Sequence, residues 1–134
     1  MNTRVNLAVL CAALAGCDRV TDAQWAKTVP GSYATSQTGF TEQVDLRIDG
    51  SFRHDASFDG RALVSESGKW SFEVKSGIVT LEPFTSIWDS KNRKLTTNFV
   101  HQAVGALGVM RYGEKAEKIS PTVDFDYQLI KKKK

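Results

Sequence analysis

Cysteine is scarce in this chain: 2 of 134 residues, Cys11 and Cys17. Histidine is equally scarce, with only His54 and His101, and proline occurs three times. Each shortage excludes something. Two histidines and two cysteines at these separations do not supply the three or four ligands of a zinc site. The carboxylates Asp45, Asp49, Asp55 and Asp59 do not follow the calcium-loop pattern of alternate oxygen ligands closed by a distal Glu. There is no Gly-X-Ser-X-Gly nucleophile motif and no glycine-rich phosphate loop, since Gly105-Ala-Leu-Gly108 is not one. No cofactor is expected, and the chain reads as a non-enzyme.

Charge is also nearly balanced, at 18 Lys and Arg against 15 Asp and Glu. Four of the cations form the tail Lys131 to Lys134. Without that tail and Arg4, 13 cations face 15 carboxylates. A near-neutral body with a short basic end is a poor footprint for nucleic acid, so no such partner is expected.

Long apolar runs are missing except at the start. Val5 to Ala15 is mostly apolar and follows the positive Arg4. It is shorter than the ~20 residues of an ordinary spanning helix, and the small residues Ala15 and Gly16 precede Cys17. Charged start, short apolar stretch and small residues are the parts of a secretory signal. The run Leu14-Ala15-Gly16-Cys17 resembles the lipobox of bacterial lipoproteins. That resemblance implies a helical signal peptide over residues 1–16, lipid on Cys17 and attachment to the cell envelope of a Gram-negative bacterium. The anchored domain would face the periplasm. Asp18 resembles the inner-membrane retention signal of enterobacterial lipoproteins, and both inner and outer membrane stay open. Cys11 would leave with the signal and lipid would occupy the Cys17 sulfur, so the mature domain is expected to contain no disulfide.

Residues 17–30 read as a tether, with a short helix over Asp22 to Lys27 whose Trp25 is placed to plug a barrel end. Beyond Pro30-Gly31 the period changes to two, and residues 31–130 read as one all-β domain. Gly31–Thr35 is a strand. Val44, Leu46 and Ile48 share one face; Phe52, His54, Ala56 and Phe58 share the next. Asp49-Gly50 between them predicts a tight hairpin with both residues at positive φ. Asp59-Gly60 is a second turn, and Arg61–Glu66 fits a strand or a loop. Strands follow over Gly68–Val74, Ile78–Phe84, Thr85–Asp89, Leu95–Val100 and Val109–Tyr112. Glu114–Lys118 reads as an exposed loop, and Thr122–Ile130 alternates as a last strand with Val123, Phe125, Tyr127 and Leu129 on one side.

Seven to nine short strands with closely spaced turns predict an antiparallel meander closed, or nearly closed, into a barrel, with a sandwich as the alternative. Gly31-Ser-Tyr33, Asp49-Gly-Ser-Phe52, Gly68-Lys-Trp-Ser-Phe72, Ile78-Val-Thr-Leu81 and Asp124-Phe-Asp-Tyr-Gln-Leu-Ile-Lys131 resemble the small lipocalin-like barrels of envelope lipoproteins. An anchored all-β domain without a catalytic constellation points to a membrane-bound, non-enzymatic protein that binds a small apolar ligand or another envelope protein. The alternative is a structural or stress-related surface module that works through its loops. His54, Trp70, Phe72, Phe125 and Tyr127 are the candidate ligand-lining residues, although such side chains more often simply fill a core. Lys131 to Lys134 reads as a solvated tail or a contact to anionic head groups.

Overall fold

The computed structural model describes residues 22–122 and 124–133. The expected signal peptide (residues 1–16), the expected lipidation and sorting residues Cys17 and Asp18, and also Val123 and Lys134 lie outside the described residues. A short helix, α1 (22–28), precedes ten strands. These are β1 (Gly31–Gln37), β2 (Phe40–Leu46), β3 (Ser51–Phe58), β4 (Arg61–Glu73), β5 (Ile78–Glu82), β6 (Phe84–Asp89), β7 (Lys94–Gln102), β8 (Gly105–Tyr112), β9 (Lys115–Ser120) and β10 (Leu129–Lys131). Eight of them form a closed antiparallel barrel in the order β1-β10-β9-β8-β5-β4-β3-β2. The sandwich alternative is thereby excluded. The chain runs as a meander with one excursion: β6 and β7 pair with each other, leaving β5 to pair with β8.

Period-two patterning places the core. Tyr33, Val44, Leu46, Phe52, Val79, Leu81, Leu107, Ile119, Tyr127 and Leu129 are buried in one cluster inside the barrel. One end of the barrel is covered by α1. Trp25 packs edge-on against Phe72, with ring centroids 5.1 Å apart, and the Arg111 guanidinium lies 4.5 Å over its ring. The Tyr33 hydroxyl donates to the Val29 carbonyl (2.6 Å), fixing the segment between α1 and β1. The other end is covered by the β6–β7 hairpin. Its Ile87 is buried with Phe40, Ala56 and Val64, and Leu95 and Phe99 pack beside them.

Several expectations need correction. Thr122–Ile130 is not a continuous strand. Phe125 sits at φ 54°, the Thr122 hydroxyl accepts the Asp126 amide (3.0 Å), and Ser120 Oγ accepts the Thr122 amide (3.0 Å). Side-chain oxygens that capture nearby amides compete with a strand ladder, so pairing resumes only at Leu129. Glu114–Lys118 is not an exposed loop but lies largely in β9. Its register slips at Glu117, the residue without a partner between Met110↔Lys118 and Arg111↔Ala116. The buried residues Ala116 and Ile119 therefore stand three apart, which hides the period of two. Lys131, expected in a tail, belongs to β10 and pairs with Tyr33.

The first hairpin forms, but with a wider turn than expected. β2 ends at Leu46, so Ile48 is not in the core face; it lies in the turn and is 91% exposed. The Gly50 amide donates to the Arg47 carbonyl (3.1 Å). Gly50 is at φ 87°, while Asp49 is not at positive φ and its carboxylate accepts the Ser51 amide (2.9 Å). In the second turn Asp59 and Gly60 are both at positive φ (48° and 79°). Gly50→Val should lower unfolding stability by about 1–3 kcal/mol through left-handed backbone strain. Chemical denaturation measures this, and an unchanged midpoint would contradict the turn.

Candidate functional site

The polar centre of the barrel grows from three neighbouring strands. His54 on β3 stands directly across from Glu66 on β4. Glu42 on β2 lies diagonal to it, two residues from its direct partner Val44. A two-residue turn at Asp59-Gly60 would by itself set His54 opposite Ser65. The bulge in β4 changes this: Ala56 pairs with Val64 and Ser57 with Ala62, so Leu63 is the extra residue. One extra residue reverses which side chains point inward. Val64 and Glu66 turn toward the interior, and Ser65 turns out.

His54 is fully buried, with 0% exposure. Its Nε2 lies 2.5 Å from Glu42 Oε2, and its Nδ1 lies 2.6 Å from Glu66 Oε2. The Tyr127 hydroxyl donates to Glu42 Oε1 (2.7 Å). Glu66 also receives the Thr85 amide on Oε2 and the Thr85 hydroxyl on Oε1, each at 2.8 Å. The chain of bonds then reaches the surface, because Thr85 Oγ1 lies 2.7 Å from Nδ1 of the exposed His101. A hydroxyl has one proton, and here it goes to Glu66. His101 Nδ1 must therefore carry the hydrogen and donate to Thr85.

Burial opposes charge on an imidazole, but the two carboxylate hydrogen bonds, with the charges behind them, outweigh it and lift His54 to about 9. His54 is then an imidazolium at neutral pH, with both ring nitrogens donating. Burial likewise pushes the Glu66 carboxyl up, yet its bonds from His54 and Thr85 hold it below the usual carboxylate range. Burial and the Glu42 carboxylate push the Tyr127 phenol far above its ordinary value, so it remains a donor. The Phe84 ring stacks on His54 with centroids 4.9 Å apart. Trp88 stacks on Tyr127 at 5.2 Å and 7°.

The expected ligand-lining residues therefore divide. His54 and Tyr127 meet through Glu42. Trp70 and Phe72 lie toward the α1 end: Trp70 Nε1 donates to the Arg47 carbonyl (2.7 Å), and Phe72 packs on Trp25. Phe125 stays apart, in the β9–β10 connection near Gly108. The sequence reading missed Glu42, Glu66, Thr85 and His101. A signal existed for Glu42, which shares its parity with Val44 and Leu46. Among the described residues no group of His, Cys, Asp and Glu is arranged to hold a metal ion. No helix among them is long and apolar enough to cross a membrane.

What the arrangement can do chemically follows from its satisfaction. Both His54 nitrogens and all four oxygens of Glu42 and Glu66 are engaged. The group locks strands and hairpin together and presents no unoccupied polar atom to a guest. One open concavity, of about 460 Å³, reaches the group at Glu42 and is lined also by Ala56, Val64 and Ser65; two larger ones include none of its five residues. One groove of about 680 Å³ runs beside the β6–β7 hairpin, lined in part by Trp88, Asn98, Val100, Gln102 and Val104. Another, of about 860 Å³, lies beside β10 and is lined in part by Lys115, Ile130, Lys132 and Lys133. Comparison with protein-family models, curated proteins and solved structures finds no match to this chain.

The raised His54 value fixes a sign. Its stabilising contribution is complete below the unfolded value of 6.5 and is lost as pH rises through about 9. Thermal and urea unfolding should show a loss on the order of 3 kcal/mol between pH 6.5 and 9.5. His54→Gln should be less stable at pH 6.5 and nearly flat across that interval. An equally steep slope in the variant would remove His54 as the cause.

Proposed function

We propose that this chain is a lipid-anchored, non-enzymatic protein of the Gram-negative cell envelope, held by Cys17 to the inner or outer membrane with its barrel in the periplasm. On this reading the barrel works through its outer surface. The carrying observation is the occupied interior: His54, the candidate for greeting a ligand, is buried with both nitrogens bonded to carboxylates. Helix α1 and the β6–β7 hairpin cover the two ends. This favours the surface-module alternative over a small apolar ligand inside the barrel.

The groove beside the hairpin supplies the surface. Val100 and Val104 are exposed there, next to the stacked Trp88 ring and the amides of Asn98 and Gln102. Apolar anchors among amide donors and acceptors suit a polypeptide segment, so the partner is read as another envelope protein. The anchor rests on Leu14-Ala15-Gly16-Cys17 following the apolar run. More than one acyl chain gives stable attachment.

Native mass spectrometry of the protein extracted from its host membrane tests both parts. The wild type should carry diacylglyceryl mass on Cys17 and no further small molecule. Cys17→Ala should accumulate as an unlipidated precursor. A retained small ligand would contradict the surface reading, and lipid still attached in Cys17→Ala would contradict the anchor.

A further inference from the structure

We infer that the barrel end carrying α1 is a membrane-docking face for an anionic phospholipid bilayer, made by two turns and a ring of cations. The inference rests on the lipid-anchored reading and extends it: the anchor brings the domain to the membrane, and this face orients it there.

Strand registers place the relevant parts at one end. Leu46 pairs with Gly31 and with Phe52, so the Arg47–Gly50 turn emerges beside the start of β1. Glu73 pairs with Ile78, placing the β4–β5 turn at the same end. The Val109 amide donates to the Gly77 carbonyl (2.8 Å), so β8 runs out past that turn to Tyr112. Lys131 pairs with Tyr33, and the Lys132 amide bonds the Ser32 carbonyl, so the C-terminal segment leaves there too. The Thr28 hydroxyl accepts the Ala116 amide (2.8 Å), tying the end of α1 to β9.

Two large apolar side chains project from this rim: Ile48, 91% exposed, and Tyr112, 79% exposed. A lone exposed apolar residue is ordinary. Here one occupies a turn and the other the strand end beside a turn on the same rim, and Tyr is a residue that suits the membrane–water boundary. Between them stand exposed Arg47, Lys75, Arg111, Lys115, Lys132 and Lys133, against the carboxylates Asp22, Asp49, Glu73 and Glu114. The balance favours an anionic surface.

Chain length supplies the second argument. Asp22 lines a concavity with Lys75, Ser76 and Arg111 on this same end. Cys17 is five residues away in sequence, at most ~18 Å even fully extended. A lipid on Cys17 therefore leaves this end close to the bilayer.

The test is amide hydrogen exchange on the full acylated chain in nanodiscs of phosphatidylglycerol and, separately, phosphatidylcholine. In phosphatidylglycerol the amides of the 47–50 and 111–114 turns should exchange about tenfold more slowly. Ile48→Asp combined with Tyr112→Asp should abolish the difference while the chain stays on the disc. Both side chains are solvent-facing, so the variant's melting temperature should match the wild type. Equal exchange in the two lipids, with lipid mass on Cys17 and retention on the disc, would overturn the docking face and leave the anchor standing. If Cys17 carries no lipid, the anchor reading fails. Docking is then read from sedimentation of the chain with phosphatidylglycerol vesicles: loss of sedimentation in the double variant supports it, and no sedimentation of the wild type overturns it.

Discussion

The buried ion pairs of His54 hold the rest of the structure in place. Charge inside a protein persists only where it is paired and fully hydrogen-bonded, and removing one partner of such a pair costs about 3–5 kcal/mol because the other is stranded. Here one imidazolium bridges Glu42 and Glu66, and their remaining oxygens take Tyr127 and Thr85. Those five residues come from β2, β3, β4, the β9–β10 connection and the β6–β7 hairpin. A single constellation thus ties the barrel wall to the hairpin that departs from the meander and to the β9–β10 connection.

The aromatic contacts follow from that constraint. Phe84 can stack on His54 because Thr85, the next residue, is fixed to Glu66. Trp88 can stack on Tyr127 because the Tyr127 hydroxyl is fixed to Glu42. With these rings in place the interior is occupied by the protein's own side chains. The other end is held by packing instead, through Trp25 on Phe72 and the Tyr33 bond to Val29. The hairpin end thus combines buried charge with the apolar packing of Ile87, Leu95 and Phe99.

The barrel was legible in the sequence because period-two alternation is a direct consequence of the pleat. Val44, Leu46, Phe52, His54 and Ala56 all face inward as parity requires, and Trp25 lies at a barrel end as expected. Parity misleads where a ladder gains a residue. Leu63 and Glu117 each reverse the faces beyond them, which concealed Glu66 as the partner of His54 and β9 as a strand. Around Thr122–Asp126 alternation was present but local side-chain bonds prevailed over it, so Phe125 left the core set. No sequence pattern announced that β6 and β7 would leave the barrel; the bonds that Thr85 donates to Glu66, 19 residues away, become visible only in the fold. The Cys17 reading is of another kind, carried by a motif rather than by packing.

The charge state of His54 is the most direct test of this account. Nitrogen-detected NMR of the imidazole should show both ring nitrogens protonated at pH 7, with titration centred near pH 9. A neutral ring at pH 7, titrating at or below the ordinary histidine value, would contradict the paired-charge centre on which the fold is argued to rest.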